Sequence, residues 1–257
     1  MADLDLRPLL AAAVDAAHEA GREILDVYAG DFAVARKSDQ SPVTLADARA
    51  EAVILPRLMA AAPDIPVISE EQAEATGLPA VAADRFWLVD PLDGTKEFIK
   101  RNGEFTVNIA LIEAGRPILG VVGIPAQGLI YAAAGPGTAE RHDASGTRTA
   151  IAARACPPEG AVVMSSRSHE TNTDLDALLA RRKVAERRIA GSALKFCRVA
   201  EGAADLYPRI GPTMEWDTAA GQAVLEAAGG RMTRLDGTPF TYGKPGFRNP
   251  GFIAEGC

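Results

Sequence analysis

Cysteine, histidine and aromatic residues are scarce in this sequence of 257 residues. The chain contains three cysteines and three histidines, and aromatic residues make up 5% of it. Cys156, Cys197 and Cys257 are scattered, so they form neither a disulfide framework nor the spacing of a zinc site. Unpaired cysteines fit a reducing compartment, and we therefore predict a cytoplasmic protein, with peripheral association with the inner membrane left open.

The sequence also lacks long apolar runs and an excess of basic residues. No stretch approaches the roughly 20 apolar residues that span a bilayer, and we expect neither a signal peptide nor a transmembrane segment. Acidic residues number 34 against 27 lysines and arginines, which gives a net charge of −7. A nucleic-acid polymer as main partner would require a basic surface, so this class is excluded. A small anionic partner is compatible, because bound metal ions reverse the local field.

Hydrophobic residues make up 47% of the chain and are spread along it, which predicts a large buried core. Apolar residues at helical spacing predict a helix over about residues 4–29, and consecutive apolar runs between 105 and 133 predict antiparallel hairpins. After about residue 160, strands alternate with helices, which favours a mainly parallel sheet. We predict an α/β layered sandwich in one domain, 1–257, with two halves at about 1–150 and 151–257.

An acidic turn is predicted after a buried strand. The apolar residues 86–89 run into Asp90, Pro91 then removes a backbone donor, and Gly94 permits a turn. Asp90 and Asp93 would lie on this turn, where two carboxylates repel unless a cation lies between them or one takes a proton. Oxygen ligands without nearby histidine or cysteine suit a hard cation, and Mg²⁺ fits best. The alternative is an ordinary Asx turn that closes the strand.

Three further acids stand at predicted element ends. Glu70 follows a strand predicted at 66–69, where it would complete a shared Mg²⁺ site or simply face solvent. Asp217 stands where an alanine-rich helix begins, which is also a favoured position for an N-cap. Asp47, three residues after Thr44, fits a capping box at the start of the second helix. Each of these acids therefore has a structural alternative to metal binding.

Two runs of sequence resemble signatures of the inositol monophosphatase superfamily of Mg²⁺-dependent, lithium-sensitive phosphatases. They are Asp-Pro-Leu-Asp-Gly-Thr at 90–95 and Trp-Asp-Thr-Ala-Ala-Gly at 216–221. Lys-Glu-Phe at 96–98 resembles the bisphosphate nucleotidase branch, which removes the 3′-phosphate from 3′-phosphoadenosine 5′-phosphate. The resemblance extends from about Ser41 to Gly221. It implies the sugar-phosphatase fold, in which helix and sheet layers alternate.

The resemblance also implies a metal site. Glu70 and Thr95 would polarise an attacking water, and Asp47 would act from outside the ligand set or at a third metal. No covalent phosphoenzyme is needed. Two or three Mg²⁺ ions would bridge the substrate phosphate and a set of oxygen ligands, namely Glu70, Asp90, the Leu92 carbonyl, Asp93 and Asp217.

Substrate contacts are implied at the metal site and at a second place. The phosphate that is not cleaved would be held by Ser192, Lys195 and Arg209, and His169 would lie near the adenine. From the residues alone, Ser192 is a candidate N-cap, Lys195 a solvated lysine and His169 a loop histidine. At the metal site, the implied substrate contacts are Glu70, Leu92, Asp93, Gly94, Thr95 and Asp217.

Three functions stay open at this point. The first is hydrolysis of 3′-phosphoadenosine 5′-phosphate to AMP and phosphate, and of its 5′-phosphosulfate relative, with a small phosphate ester as the partner. The second is an inositol or sugar monophosphatase on the same metal site. The third, a non-catalytic Mg²⁺- or Li⁺-binding regulator, is disfavoured by Thr95 and the full set of acids. The sequence leaves relative rates and a homodimer open.

Overall fold

The first half of the chain packs two helices against a seven-stranded sheet. The computed structural model describes residues 4–30, 34–36, 42–80, 82–166 and 172–257, with only the backbone of 34–36, 42–44 and 172. In chain order the elements of this half are α1 (Leu6–Ala29), β1 (Val34–Arg36), β2 (Pro42–Thr44), α2 (Leu45–Ala61), β3 (Val67–Ser69), α3 (Glu70–Thr76), β4 (Arg85–Asp93), α4 (Thr95–Ile99), β5 (Thr106–Glu113), β6 (Arg116–Ile124), β7 (Leu129–Ala134), β8 (Glu140–His142) and β9 (Arg148–Ala150).

The large sheet follows the chain order from β3 to β9. β3 is parallel to β4, and every later neighbour is antiparallel, which confirms the predicted hairpins. Leu9, Ala13 and Ile24 lie on the buried face of α1, as the 3.6-residue spacing predicts. They pack with Ile54 of α2 and with one face of the sheet, including Trp87.

The second half builds a five-stranded sheet in the order β11-β10-β12-β16-β14. β10 is parallel to β11 and β12, whereas β16 is antiparallel to β12 and β14. The prediction of a mainly parallel sheet is therefore wrong, because residues 235–251 form no crossover α-helix. The elements are β10 (Ala161–Ser165), α5 (Asn172–Leu179), β11 (Val184–Ile189), α6 (Leu194–Ala200), β12 (Leu206–Arg209), β13 (Thr213–Met214), α7 (Ala219–Ala227), β14 (Arg231–Arg234), β15 (Arg248–Asn249) and β16 (Phe252–Glu255).

Helices α6 and α7 lie between the two sheets. Phe196 of α6 and Val224 of α7 pack with Val122 of the first sheet and Phe252 of the second in one buried cluster. α5 packs on the other face of the second sheet. The layers therefore alternate helix and sheet, as predicted. That residues 1–257 form a single domain with halves divided near residue 150 stays a prediction.

One helix was not predicted and one strand end was predicted wrongly. The unpredicted helix, α3, begins at Glu70, because the Ser69 hydroxyl accepts a hydrogen bond from Gln72 N at 3.3 Å and caps the helix. β4 was expected to end at Asp90, but its pairing continues to Asp93, with Asp90 opposite Asn108 and Asp93 opposite Thr106. The extra residue makes a bulge, a place where a sheet tolerates proline.

Cys197 is buried and Cys156 and Cys257 are exposed, and all three are free thiols, as expected. Among the helices that the structure describes, none is both long enough and apolar enough to span a bilayer.

Candidate active site

One cleft of about 290 Å³ lies where the two halves meet. It is formed by the carboxyl end of β4, the first residues of α3 and α4, the segment before α6 and the segment before α7. Among the residues that the structure describes, every site residue predicted from the sequence lines it except Asp47. Ser166, Tyr207 and Thr213 also line it and were not predicted. None of the three was assigned a role from the sequence, and the fold brings them together at the cleft.

Three carboxylates converge in this cleft. Glu70, Asp90 and Asp217 each offer an oxygen atom, and these atoms lie within 4.8 Å of one another. Burial raises the pKa of Asp90 well above its ordinary value, and the negative charges of Glu70 and Asp93 add to this effect. Burial likewise raises the pKa of Asp217, with help from Asp93 and Glu70. Carboxylates this close need a proton or a cation, and an all-oxygen set fits a hard divalent metal.

The bulge at the end of β4 orients Asp90 and Asp93 differently. Asp90 Oδ1 accepts a hydrogen bond from Leu92 N at 3.1 Å, so the Asx turn of the alternative interpretation exists inside the acidic cluster. Asp93 Oδ2 lies 3.5 Å from both Thr106 Oγ1 and Asn108 Nδ2. Burial raises the pKa of Asp93, although the nearby Lys195 charge opposes this.

The chain then turns at Gly94 and places Thr95 in the cleft. Gly94 has a φ of +93°, a value that favours glycine, and Thr95 is the first residue of α4. Leu92, whose carbonyl was predicted as a ligand, is 2% exposed and lies on the same bulge.

Asp217 is held by the backbone before α7. Its Oδ2 accepts a hydrogen bond from Met214 N at 2.8 Å, and Thr218 rather than Asp217 is the N-cap. The capping alternative for Asp217 is therefore wrong. Asn249 Nδ2 donates to the Met214 carbonyl at 2.7 Å, and the buried Glu215 accepts from Gly243 N at 2.7 Å. Sequence reasoning missed both residues, although Glu215 directly precedes the Trp-Asp signature.

A buried cation lines the same cleft. Lys195 is 3% exposed, and its Nζ donates to the carbonyls of Ala190 at 3.1 Å and Ser192 at 2.7 Å. Burial lowers the pKa of Lys195 to about 8, although Asp93 opposes this shift. Lys195 is therefore not a solvated lysine. Arg209 Nη1 donates to Ser166 Oγ at 2.7 Å, which keeps the guanidinium beside the same cleft.

Ser192 does not cap α6, as its sequence position suggested. The N-cap is Ala193, and the Ser192 hydroxyl contacts the carbonyl oxygens of Asp93 and Glu104, each at 2.8 Å. The reason is conformational, because Ser192 has a φ of +51° and turns its side chain towards β4. Ser192 thus joins the two halves at the cleft.

One described residue of the predicted site, Asp47, does not line the cleft. Asp47 is 3% exposed in the first turn of α2, and its charge contributes to the raised pKa of Asp90. The proposed capping partner of Asp47 has a side chain outside the part of the chain that the structure describes. His169 lies outside the described residues altogether.

Comparisons with a family model and with known proteins agree on one family. A model of the inositol monophosphatase family matches residues 5–252 of the chain. The chain is 50% identical over 239 residues to a 3′(2′),5′-bisphosphate nucleotidase CysQ of Salmonella typhimurium, with 92% of this chain and 95% of that protein covered. The CysQ of Shigella flexneri is 49% identical with the same coverage.

Solved structures show the same fold. A crystal structure of CysQ from Bacteroides thetaiotaomicron matches with a TM-score of 0.81 and 36% identity, and it covers 99% of both chains. An inositol monophosphatase from Anabaena matches with a TM-score of 0.75 and 25% identity, covering 98% of this chain and 92% of that one.

Proposed function

Because the chain belongs to the inositol monophosphatase family, we propose that it is a metal-dependent phosphomonoesterase that converts adenosine 3′,5′-bisphosphate to AMP and phosphate. Relatives about half identical over nearly the whole chain carry the name 3′(2′),5′-bisphosphate nucleotidase. The observation that carries the proposal is one cleft lined both by the acidic cluster and by the buried Lys195 and Arg209. The 5′-phosphosulfate relative is proposed as a second substrate.

We propose Mg²⁺ as the metal, two or three ions per site. The ligand set contains only oxygen atoms, which are the donors that Mg²⁺ prefers. When bound, the ions would lower the pKa of water and neutralise charge on the leaving oxygen. The residues proposed to hold them are Glu70, Asp90, Leu92 through its carbonyl, Asp93 and Asp217.

The chain itself supplies orientation around the scissile phosphate. Glu70 is half-buried at the start of α3, and Thr95 begins α4, so both lie on rigid element ends inside the cleft. We assign them the orientation of the attacking water. Asp47 is assigned an outer role, because it is buried near Asp90 without lining the cleft.

The second phosphate needs a cationic seat of its own. Lys195 uses two of its three N–H donors on backbone carbonyls, which leaves one for a phosphate oxygen. Arg209 uses Nε and Nη1 on Gly211 and Ser166, so Nη2 can face an anion in the cleft. The Ser192 hydroxyl is engaged with two carbonyls, so its contribution would come through its backbone. His169 near the adenine stays a prediction.

A phosphate-release panel tests this function. The purified protein is incubated with adenosine 3′,5′-bisphosphate, adenosine 5′-monophosphate, inositol 1-phosphate and a sugar phosphate, each with Mg²⁺ and with EDTA. We expect Mg²⁺-dependent release that is fastest from the bisphosphate and abolished by EDTA. Faster release from inositol 1-phosphate would favour the sugar-phosphatase alternative. No release from any ester by folded protein would refute both.

A further inference from the structure

The segment before α6 packs so closely against the end of β4 and the chain before β5 that neither Gly94 nor Gly191 has room for a side chain. A Cβ on Gly94 would lie 2.1 Å from Ser192 Oγ, and a Cβ on Gly191 would lie 2.8 Å from the Glu104 carbonyl oxygen. Real Cβ atoms do not approach other atoms so closely, so both glycines are needed for this contact. The segment that leads into Lys195 therefore packs directly against the chain that carries Asp93.

Glu104 makes two of the bonds in this contact. Its Oε2 accepts a hydrogen bond from Gly191 N at 2.9 Å, and its backbone carbonyl accepts from the Ser192 hydroxyl at 2.8 Å. Its own backbone is fixed by a hydrogen bond from Glu104 N to Asn102 Oδ1 at 3.0 Å. Glu104 thus holds two successive residues of the opposite segment from a fixed position on the chain before β5.

The position of Lys195 depends on the backbone on either side of Gly191. Its Nζ donates to the carbonyls of Ala190 and Ser192, which flank Gly191. The Ser192 backbone, with a φ of +51°, lies in a conformation that side-chain-bearing residues seldom adopt without support. If the Glu104 contacts are lost, these carbonyls can relax, and Lys195 Nζ moves with them.

We infer that Glu104 is a positioning residue that sets the distance between the cationic seat of Lys195 and the acidic cluster, and thereby selects esters with a second phosphate. Glu104 does not line the cleft, so it acts through Gly191, Ser192 and Lys195 and not by touching substrate. The inference rests on the proposed function, because it assumes that the seat holds the phosphate that is not cleaved.

The experiment compares two substrates that differ only in that phosphate. Adenosine 3′,5′-bisphosphate and adenosine 3′-monophosphate share the scissile ester. We expect Glu104→Ala to raise KM for the bisphosphate about tenfold, with kcat changed less than about threefold and with the monophosphate unaffected. Glu104→Gln keeps an acceptor for Gly191 N and should restore most of the loss. Glu113→Ala, at the far end of β5 where Glu113 pairs with Arg85, is the matched control.

A binding measurement separates this role from a general effect on activity. Calorimetric titration with adenosine 5′-monophosphate, which carries only the phosphate assigned to the seat, should show about tenfold weaker binding to Glu104→Ala. The inference is overturned if Glu104→Ala loses activity equally on adenosine 3′,5′-bisphosphate and adenosine 3′-monophosphate, or loses it on neither. It is also overturned if Glu104→Gln does not recover the loss.

Two further outcomes keep the test decisive. Should Glu104→Ala fail to fold, Ser192→Ala removes the hydroxyl that contacts the Glu104 and Asp93 carbonyls and keeps the Glu104 side chain. Its loss must again be selective for the bisphosphate, or the inference falls. If the wild type does not hydrolyse adenosine 3′,5′-bisphosphate at all, the proposed function itself is refuted. If the wild type does hydrolyse it but the loss in the variants is not selective for the bisphosphate, the inference alone fails.

Discussion

Replacing Asp90 by asparagine should stabilise the metal-free protein while abolishing its response to Mg²⁺. Asp90 is 1% exposed, and one of its oxygens lies within 4.8 Å of oxygens of Glu70 and Asp217. At an effective dielectric constant of about 20, two unit charges at that separation repel by about 3.5 kcal/mol. Asparagine keeps the Oδ1 that accepts from Leu92 N, and its amide group can donate to the neighbouring carboxylates.

Proton uptake limits the expected gain. A carboxyl group with an ordinary pKa of 3.8 takes a proton at pH 7 at a cost of about 4 kcal/mol, so repulsion cannot destabilise the protein by more than this amount per group. We therefore expect Asp90→Asn to raise the free energy of unfolding in EDTA by about 2–4 kcal/mol. For a chain of this length, each kcal/mol shifts Tm by about 2–4 °C.

The pH dependence has a definite sign. Because the pKa of Asp90 is raised in the folded protein, the native state holds more protons than the unfolded state once the pH exceeds 3.8. Stability of the metal-free wild type therefore falls as the pH rises through this window. The advantage of Asp90→Asn should accordingly be larger at pH 8 than at pH 5.

Thermal melts in EDTA and in Mg²⁺ measure these effects. The wild type should gain stability with Mg²⁺, whereas Asp90→Asn should gain little. Asp84→Asn, an exposed acid just before the other end of β4, is the matched control and should behave as the wild type. A variant that is less stable than the wild type in EDTA at pH 7, together with a wild type that does not respond to Mg²⁺, would refute the reasoning.

Three further predictions concern turnover. Asp93→Asn should reduce Mg²⁺-dependent turnover by orders of magnitude without unfolding the protein; near-normal turnover at saturating Mg²⁺ would contradict the assignment of Asp93. LiCl should inhibit more than NaCl or KCl at equal ionic strength, because Li⁺ has half the charge of the Mg²⁺ it replaces; equal inhibition by the three salts would count against the site. Lys195→Ala should lower kcat/KM for adenosine 3′,5′-bisphosphate by about one to two orders of magnitude and barely affect inositol 1-phosphate, since a charge-assisted contact is worth roughly 1.5–3 kcal/mol. Equal losses on both esters would mean that Lys195 mainly holds the carbonyls of Ala190 and Ser192 in place.

The acidic residues of the site could be predicted from local sequence. Glu70 directly follows β3, and Asp90 and Asp93 lie in the last residues of β4. Because β3 is parallel to β4, the carboxyl ends of these strands meet at one edge. From the sequence, a shared site was expected because each acid comes after an apolar run, and the family resemblance implied the same set. The bulge was not predicted, because Pro91 was expected to end the pairing of β4. The pairing with β5 instead continues beyond Pro91 to Asp93.

The supporting contacts could not be predicted in the same way. Glu104 and Gly191 lie 87 positions apart in the chain, and Met214 and Asn249 lie 35 apart. Neither pair has a periodicity or a local motif, because the contacts form only after the two sheets pack on α6 and α7. Lys195 was assigned to substrate through resemblance, but its burial and its two bonds to carbonyls became visible only in the fold.

Hydrolysis of adenosine 3′,5′-bisphosphate in H₂¹⁸O with Mg²⁺ reports both which ester this protein cleaves and which atom water attacks. If metal-activated water attacks the 3′-phosphate, the products are unlabelled adenosine 5′-monophosphate and phosphate that carries one ¹⁸O atom, and no product forms in EDTA. Formation of adenosine 3′-monophosphate, or ¹⁸O in the nucleoside product, would contradict the proposed function.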